Sequence, residues 1–271
     1  MADISAPGRP VDPAVSRALD QPGVLSRLFH PRPEFGSRQG DENREDLMIP
    51  VAPGIAVGAS CHRAGPTDPL VLFFHGNGEI VSDYDDLGPV FSRLGLHFLV
   101  ADFRGYGRSG GSPTVQAMMA DCHVILDVVL DWKEKNRITG PVFVMGRSLG
   151  SASAIELACN RAGDIAGLIV ESGFARTGPL LRVLGIDPED IGFRPVPGSE
   201  NLDKIRNVSM PLLVIHAQYD HIIPFSDGKD LHDAAGSGDK DLLMIPGADH
   251  NDLFFKGMEA YLGAVRKICC R

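Results

Sequence analysis

Short, almost wholly apolar runs alternate along the chain with longer segments in which apolar and charged positions recur at helical spacing. The runs are PLVLFFH (69–75), HFLVADF (97–103), PVFVMG (141–146), GLIVES (167–172), PLLVIHA (211–217) and DLLMIPG (241–247). Each is brief and leaves no polar face, which predicts strands buried on both sides of a mainly parallel sheet. Between them the spacing predicts helices over 82–94, 115–136, 149–162, 226–235 and 251–268. In the second, Val124, Val128, Val129 and Trp132 mix with Asp127, Asp131, Lys133 and Glu134, an apolar stripe with a charged back. Upstream, LMIPV (47–51) and IAVGASCHR (55–63) flank Ala52-Pro53-Gly54 and read as an antiparallel hairpin joining the sheet. The fold class expected is α/β, a mainly parallel sheet of about eight strands flanked by helices.

The 271 residues suit one large domain. Residues 1–45, rich in Pro and charge, are expected to form a loose N-terminal arm, and 46–271 the domain itself. After the sixth strand there is more chain than one crossover helix needs, so about 176–210 is the place for a small cap over a site. With 26 Lys plus Arg against 35 Asp plus Glu, the net charge of −9 argues against a nucleic-acid partner. A 44% hydrophobic, 23% charged composition excludes a disordered chain. No run approaches the roughly 18 apolar residues of a membrane-spanning helix. The first thirty residues carry Asp3, Asp12 and Asp20 and no apolar core, which argues against a secretory signal. Cys61, Cys122, Cys159, Cys269 and Cys270 are odd in number and never form C-x-x-C, so neither a disulfide framework nor a zinc site is expected. A reducing, cytoplasmic compartment follows. The Cys269-Cys270 pair lacks a C-a-a-X box and reads as two ordinary thiols.

The pattern G-x-S-x-G occurs at 146–150 and again at 107–111. The first directly follows the run PVFVM and directly opens a helical segment, the strand-turn-helix context of a nucleophile elbow, and it makes Ser148 the candidate nucleophile. The second is separated from its strand by RGYG, so Ser109 is assigned to a turn. A serine hydroxyl needs a base to take its proton and an acid to orient that base. Of the histidines downstream, His250 follows the last strand in the loop PGADHND, on the edge where Ser148 emerges; His221 and His232 are weaker candidates. Asp220 ends the run PLLVIHAQYD and is preferred as the acid over Glu171 and Asp249. An oxyanion needs backbone donors. The Leu149 amide comes with the elbow, and the turn His75-Gly76-Asn77-Gly78 offers Asn77 as the second, with His75 holding that loop rigid. Arg147 is left open between a contact to an anionic substrate group and packing beneath the elbow, while Asp102 and Arg104 read as a structural turn with Gly105 and Gly107.

Together, HGNG (75–78), DFRGYGRSGGSP (102–113), GRSLG (146–150), QYDHIIP (218–224) and GADHND (247–252) resemble the alpha/beta-hydrolase fold. Within it the chain is similar to the Bem46 and alpha/beta-hydrolase-domain 13 and 17 group over residues 28–268, including the lead-in LFHPRPE (28–34). The resemblance implies Ser148 as nucleophile, Asp220 as acid, His250 as base, and Asn77 with Leu149 as oxyanion donors. It implies no metal and no organic cofactor. One departure is Ala217, where relatives often carry Gly before the acid. The activity expected is hydrolysis of a small acyl ester or thioester through an acyl-enzyme. The alternatives are a serine peptidase or amidase acting on short peptides, and a non-catalytic ligand-binding module on the same scaffold.

Overall fold

In the computed structural model, which describes residues 11–35 and 43–270, the hairpin and the six apolar runs become one eight-stranded sheet. The strands are β1 (Arg44–Ala52), β2 (Ile55–His62), β3 (Leu70–Phe74), β4 (His97–Ala101), β5 (Val142–Arg147), β6 (Gly167–Glu171), β7 (Leu212–Ala217) and β8 (Lys240–Ile245). Their order is β1-β2-β4-β3-β5-β6-β7-β8, with the β1–β2 and β2–β4 pairs antiparallel and the other neighbours parallel. The order doubles back around β3, so β3 and β5 lie side by side in mid-sheet and their C-terminal ends open onto one crevice, where such sheets carry ligands. Strands β3 to β7 are fully buried or nearly so, as their uninterrupted apolar runs require. β8 departs from the expectation: as the edge strand it is only half-buried, and Met244 reaches solvent.

Helices α4 (Val115–Lys135) and α5 (Gly150–Asn160) cover one face, with a core that includes Leu72, Phe74, Ile125, Leu126, Ile155 and Val170. The opposite face packs Phe73, Phe98, Met145 and Ile215 against α3 (Gly88–Arg93) and α9 (Leu253–Cys269). The single helix expected over 82–94 is instead a 3-10 turn, Val81–Tyr84, followed by α3, whose first turn holds Pro89. α8 (Phe225–Ala234) connects β7 to β8. Two short helices, α6 (Thr177–Val183) and α7 (Asn201–Ile205), occupy the segment after β6 assigned to the cap.

The loose arm is corrected for residues 11–35. They form α1 (Pro13–Leu19) and α2 (Pro22–Leu28), each with proline in its first turn, and bury Val15, Ala18, Leu19, Val24, Leu28 and Phe29 against the α4 and α5 face. Of the rest of the expected arm, Arg44 and Glu45 open β1, and 1–10 and 36–42 lie outside the described residues.

Candidate active site

Ser148 occupies the turn between β5 and α5 with φ at 50°, a left-handed conformation that costs a side-chain-bearing residue on the order of 1 kcal/mol or more. Its amide donates to the Glu171 carbonyl at 2.9 Å, and the Ser148 carbonyl accepts from the Ser151 hydroxyl at 2.6 Å. These bonds hold the strained turn. The flanking glycines are sterically required: a Cβ at Gly146 would overlap the Gly150 carbonyl, and one at Gly150 would overlap the carbonyl of Phe74. The Ser148 hydroxyl therefore stands above the sheet at the start of a helix, where the dipole favours negative charge.

The structure brings Ser148, Asp220 and His250 together. The Ser148 hydroxyl lies 3.1 Å from His250 Nε2, and His250 Nδ1 lies 2.7 Å from Asp220 Oδ2. A carboxylate only accepts, so Nδ1 carries the proton and Nε2 faces the hydroxyl as an acceptor. The other carboxylate oxygen, Asp220 Oδ1, accepts from the amides of Ile222 at 3.0 Å and Ile223 at 2.8 Å. Burial alone would push the Asp220 carboxyl up, but His250 and these two amides outweigh it and hold the group below its ordinary value. Beneath it His216 Nε2 donates to the Ile223 carbonyl, 2.8 Å away, and burial pushes its pKa down. Elsewhere, His221 is exposed, His232 pairs with Asp233 on α8, and Asp249 accepts the amides of Asn251 and Asp252 within its own loop.

Asn77 sits in the turn after β3. Its side chain does not face the serine: Oδ1 accepts from the His30 amide at 2.8 Å and the Tyr106 hydroxyl at 2.7 Å, and Nδ2 meets His30 Nδ1 at 2.8 Å. Among the described residues, neither the Asn77 amide nor the Leu149 amide has an acceptor, so both donors are available. His75 holds the same loop from below, with Nδ1 at 2.8 Å from the Gly76 carbonyl and Nε2 at 3.2 Å from Asp102. Arg104 makes a two-pronged bond to Asp121 at 2.7 and 2.6 Å.

Arg147 is resolved in favour of packing beneath the elbow. It bonds Glu171 at 3.0 Å, the His250 carbonyl at 2.8 Å, and Glu79. Glu79 in turn accepts the Gly76 amide at 2.6 Å and the Tyr84 hydroxyl at 2.6 Å, and Glu171 accepts the Tyr261 hydroxyl at 2.7 Å. One guanidinium thus ties together the elbow, the turn after β3 and the loop of His250. Burial would push Glu79 up, yet Arg147 and Tyr84 hold it below its ordinary value; for Glu171 burial prevails over Arg147 and Tyr261, and its pKa rises. With both oxygens so engaged, Glu171 does not act as the partner of the imidazole. Glu79, Tyr84 and Tyr261 escape the sequence because nothing local marks a partner 68 residues away. His30 and Arg32, which bonds the Gly78 carbonyl at 2.7 Å, escape it because the segment carrying them reads as a lead-in only. Among the described residues no cluster of His, Cys, Asp or Glu is placed to hold a metal ion.

Beside Leu149 a cavity of about 410 Å³ runs along α5 between α1, α2, α4 and the cap. Leu28, Phe29, Met118, Ala152 and Phe174 make its inner part apolar, while Glu156, Asn160 and Lys204 stand at the far end. Lys204 bonds Glu156 at 2.7 Å, which neutralises that end and pins α7 to α5.

Residues 65–186 match the family model described as Serine aminopeptidase, S33. Among curated proteins the chain is similar to lysophosphatidylserine lipase ABHD12 of Gallus gallus, 30% identical over 222 residues, covering 73% of this chain and 56% of that protein. The same lipase of Xenopus tropicalis is 31% identical, covering 71% and 54%. The chain thus spans about half the length of these relatives. The uncharacterized protein MT2364 of Mycobacterium tuberculosis is 29% identical, covering 82% of this chain and 78% of that one. Among solved structures, the Pyrococcus furiosus esterase Pf2001 superposes with a TM-score of 0.70 at 17% identity, covering 89% of this chain and 98% of that one. Est1E of Butyrivibrio proteoclasticus with bound ferulic acid gives 0.65 at 20% identity, covering 82% and 96%.

Proposed function

The chain is an alpha/beta hydrolase by fold, similar to proteins named as lipases and esterases, and from that premise we propose that it cleaves carboxylic esters or thioesters through Ser148, His250 and Asp220. The observation that carries this reading is the unbroken relay from Asp220 through the imidazole to a hydroxyl held at positive φ. Ser148 Oγ attacks the acyl carbon while its proton passes to His250 Nε2. The amides of Leu149 and Asn77 take the charge on the carbonyl oxygen. The alcohol or thiol then leaves with the proton from His250, water attacks the acyl-enzyme by the same route, and the free acid departs. Asp220 keeps the imidazole in the tautomer this requires. The motif set also supports kinship with the Bem46 and alpha/beta-hydrolase-domain 13 and 17 group, and the free thiols support a reducing, cytoplasmic location.

The cavity beside Leu149 supports an acyl chain lying along α5 as the bound portion of the substrate. Turnover of p-nitrophenyl esters should therefore rise from butyrate to dodecanoate, and Ala152→Phe should remove the gain on the long chain while sparing butyrate. The aminopeptidase in the description of the matched family favours a second reading, an amidase on short peptides. Such a substrate presents an ammonium group, but the buried carboxylate in this cavity, Glu156, is already matched by Lys204. Comparing p-nitrophenyl butyrate with an aminoacyl p-nitroanilide separates the two. A fluorophosphonate should label the wild type and not Ser148→Ala; equal labelling of both would remove Ser148 from the chemistry.

A further inference from the structure

On the opposite face of the sheet a second cavity, of about 420 Å³, lies between the 3-10 turn, α3 and the start of α9. Six of its thirteen lining residues are aromatic, Phe73, Tyr84, Phe98, Phe254, Phe255 and Tyr261, where the whole chain is 7% aromatic. Phe73, Phe98, Tyr84 and Tyr261 are buried and form its floor, while Phe254 and Phe255 present ring surface to it. Its rings interlock edge to face, Phe73 with Tyr84 at 4.9 Å and Phe254 with Tyr261 at 5.3 Å. At its mouth Phe255 is 79% exposed and Met258 43% exposed, apolar area that the folded chain leaves in water. The lining charges are three carboxylates, Asp83, Asp86 and Glu171, against one guanidinium, Arg147. Asp83 is shared with Arg32, whereas the exposed Asp86 has no partner among the described residues.

Ring faces attract an ammonium group within about 6 Å of the centroid, and surplus carboxylate repels an anion. We propose that this cavity binds an apolar organic cation, a quaternary or alkylated ammonium on a small hydrophobic body, and that its occupancy is felt at Ser148 and His250. Arg147, on the cavity wall, donates to the His250 carbonyl at 2.8 Å, and Glu171, on the same wall, accepts the Ser148 amide on its backbone carbonyl at 2.9 Å. A ligand that moves either side chain moves the main chain bearing one end of the serine–histidine hydrogen bond. The binding claim stands on the cavity alone, while the coupling rests on the hydrolase reading above.

The test titrates the full chain calorimetrically with three probes of one shape: phenyltrimethylammonium, its neutral analogue tert-butylbenzene, and the anion benzenesulfonate. The cation is expected to saturate one site and to bind more tightly than the other two. Asp86→Asn should weaken it about threefold, the worth of one exposed charge. Val90→Trp should fill the cavity and abolish binding, and Asp86→Lys, which leaves the interior untouched, should weaken it further than Asp86→Asn does. No saturable binding of the cation, equal binding of benzenesulfonate, or binding unchanged in both Val90→Trp and Asp86→Lys overturns the site. In parallel, a saturating cation should change kcat for p-nitrophenyl butyrate in the wild type and leave Val90→Trp unresponsive; no change in the wild type overturns the coupling. Cation binding by a protein that hydrolyses no ester would keep the site and defeat the hydrolase reading instead.

Discussion

Two segments of the molecule share the letters Gly-Arg-Ser and little else. At 146–148 the arginine lies beneath the sheet edge between two carboxylates, and the serine is fixed at φ 50° in contact with an imidazole. At 107–109 the arginine is exposed beside Glu34 and Asp46, and the serine hydroxyl accepts the Gly58 amide at 2.9 Å. The difference comes from what precedes and follows. β5 runs straight into the first turn and α5 straight out of it, so the backbone must reverse within one residue; the second follows a coil that has already turned. Reactivity here is a property of the strand-to-helix junction and not of the tripeptide.

The comparison breaks most visibly at the serines. Ser148→Ala should lower kcat by about 10⁴-fold or more, with binding of substrate retained, whereas Ser109→Ala should leave turnover within about twofold and remove one hydrogen bond worth about 1 kcal/mol. A steady-state assay with a butyrate ester measures both, and comparable losses would erase the distinction. Next come the acids. Asp220→Asn should cost about 10⁴-fold in kcat by reversing the imidazole tautomer, while Glu171→Gln should act mainly on stability, through Arg147, in a urea titration. Third are the arginines. Arg147→Met leaves Glu79 and Glu171 without their cation and should cost about 3–5 kcal/mol, against about 1 kcal/mol or less for Arg108→Met.

The smallest effect is one of pH. Burial holds the pKa of His216 below 6.5 despite the Ile223 carbonyl and the carboxylates of Asp220 and Asp227, with His250 also facing it. The unfolded chain takes up a proton near pH 6.5 that the native state refuses, so stability is full above about 6.5 and declines as pH falls below it. His216→Gln should flatten the melting temperature between pH 6.5 and 5, and Ser109→Ala should leave that acid limb as it is. An unaltered limb in His216→Gln would assign it to other groups, such as His97, which burial also pushes down.

What could be read from the chain followed the strength of local pattern. The continuous apolar runs mark the strands to within a residue or two, and the 30 residues from Asp220 to His250 leave room for one helix and one strand, which is what α8 and β8 occupy. α1 and α2 do not stand out in the sequence as packed helices because seven residues make two turns, too few for a periodicity to show, although Pro13 and Pro22 each mark a helix start. The clamp around Arg147 had no local signature at all. Its members come from β3's turn, β5, β6 and α9, and only the sheet order makes them neighbours.

The grip of α1, α2 and the residues after them on the turn after β3 joins parts of the molecule far apart in the chain. Gln21 donates to the Ile191 carbonyl 170 residues ahead, Arg27 to the Gly185 carbonyl, and His30 to Asn77. These helices have no surface to settle on until α4, α5 and the cap, all later in the chain, are in place. They act as a latch, and a molecule in which it stood open would own every reacting group yet lack the contacts that steady the turn after β3.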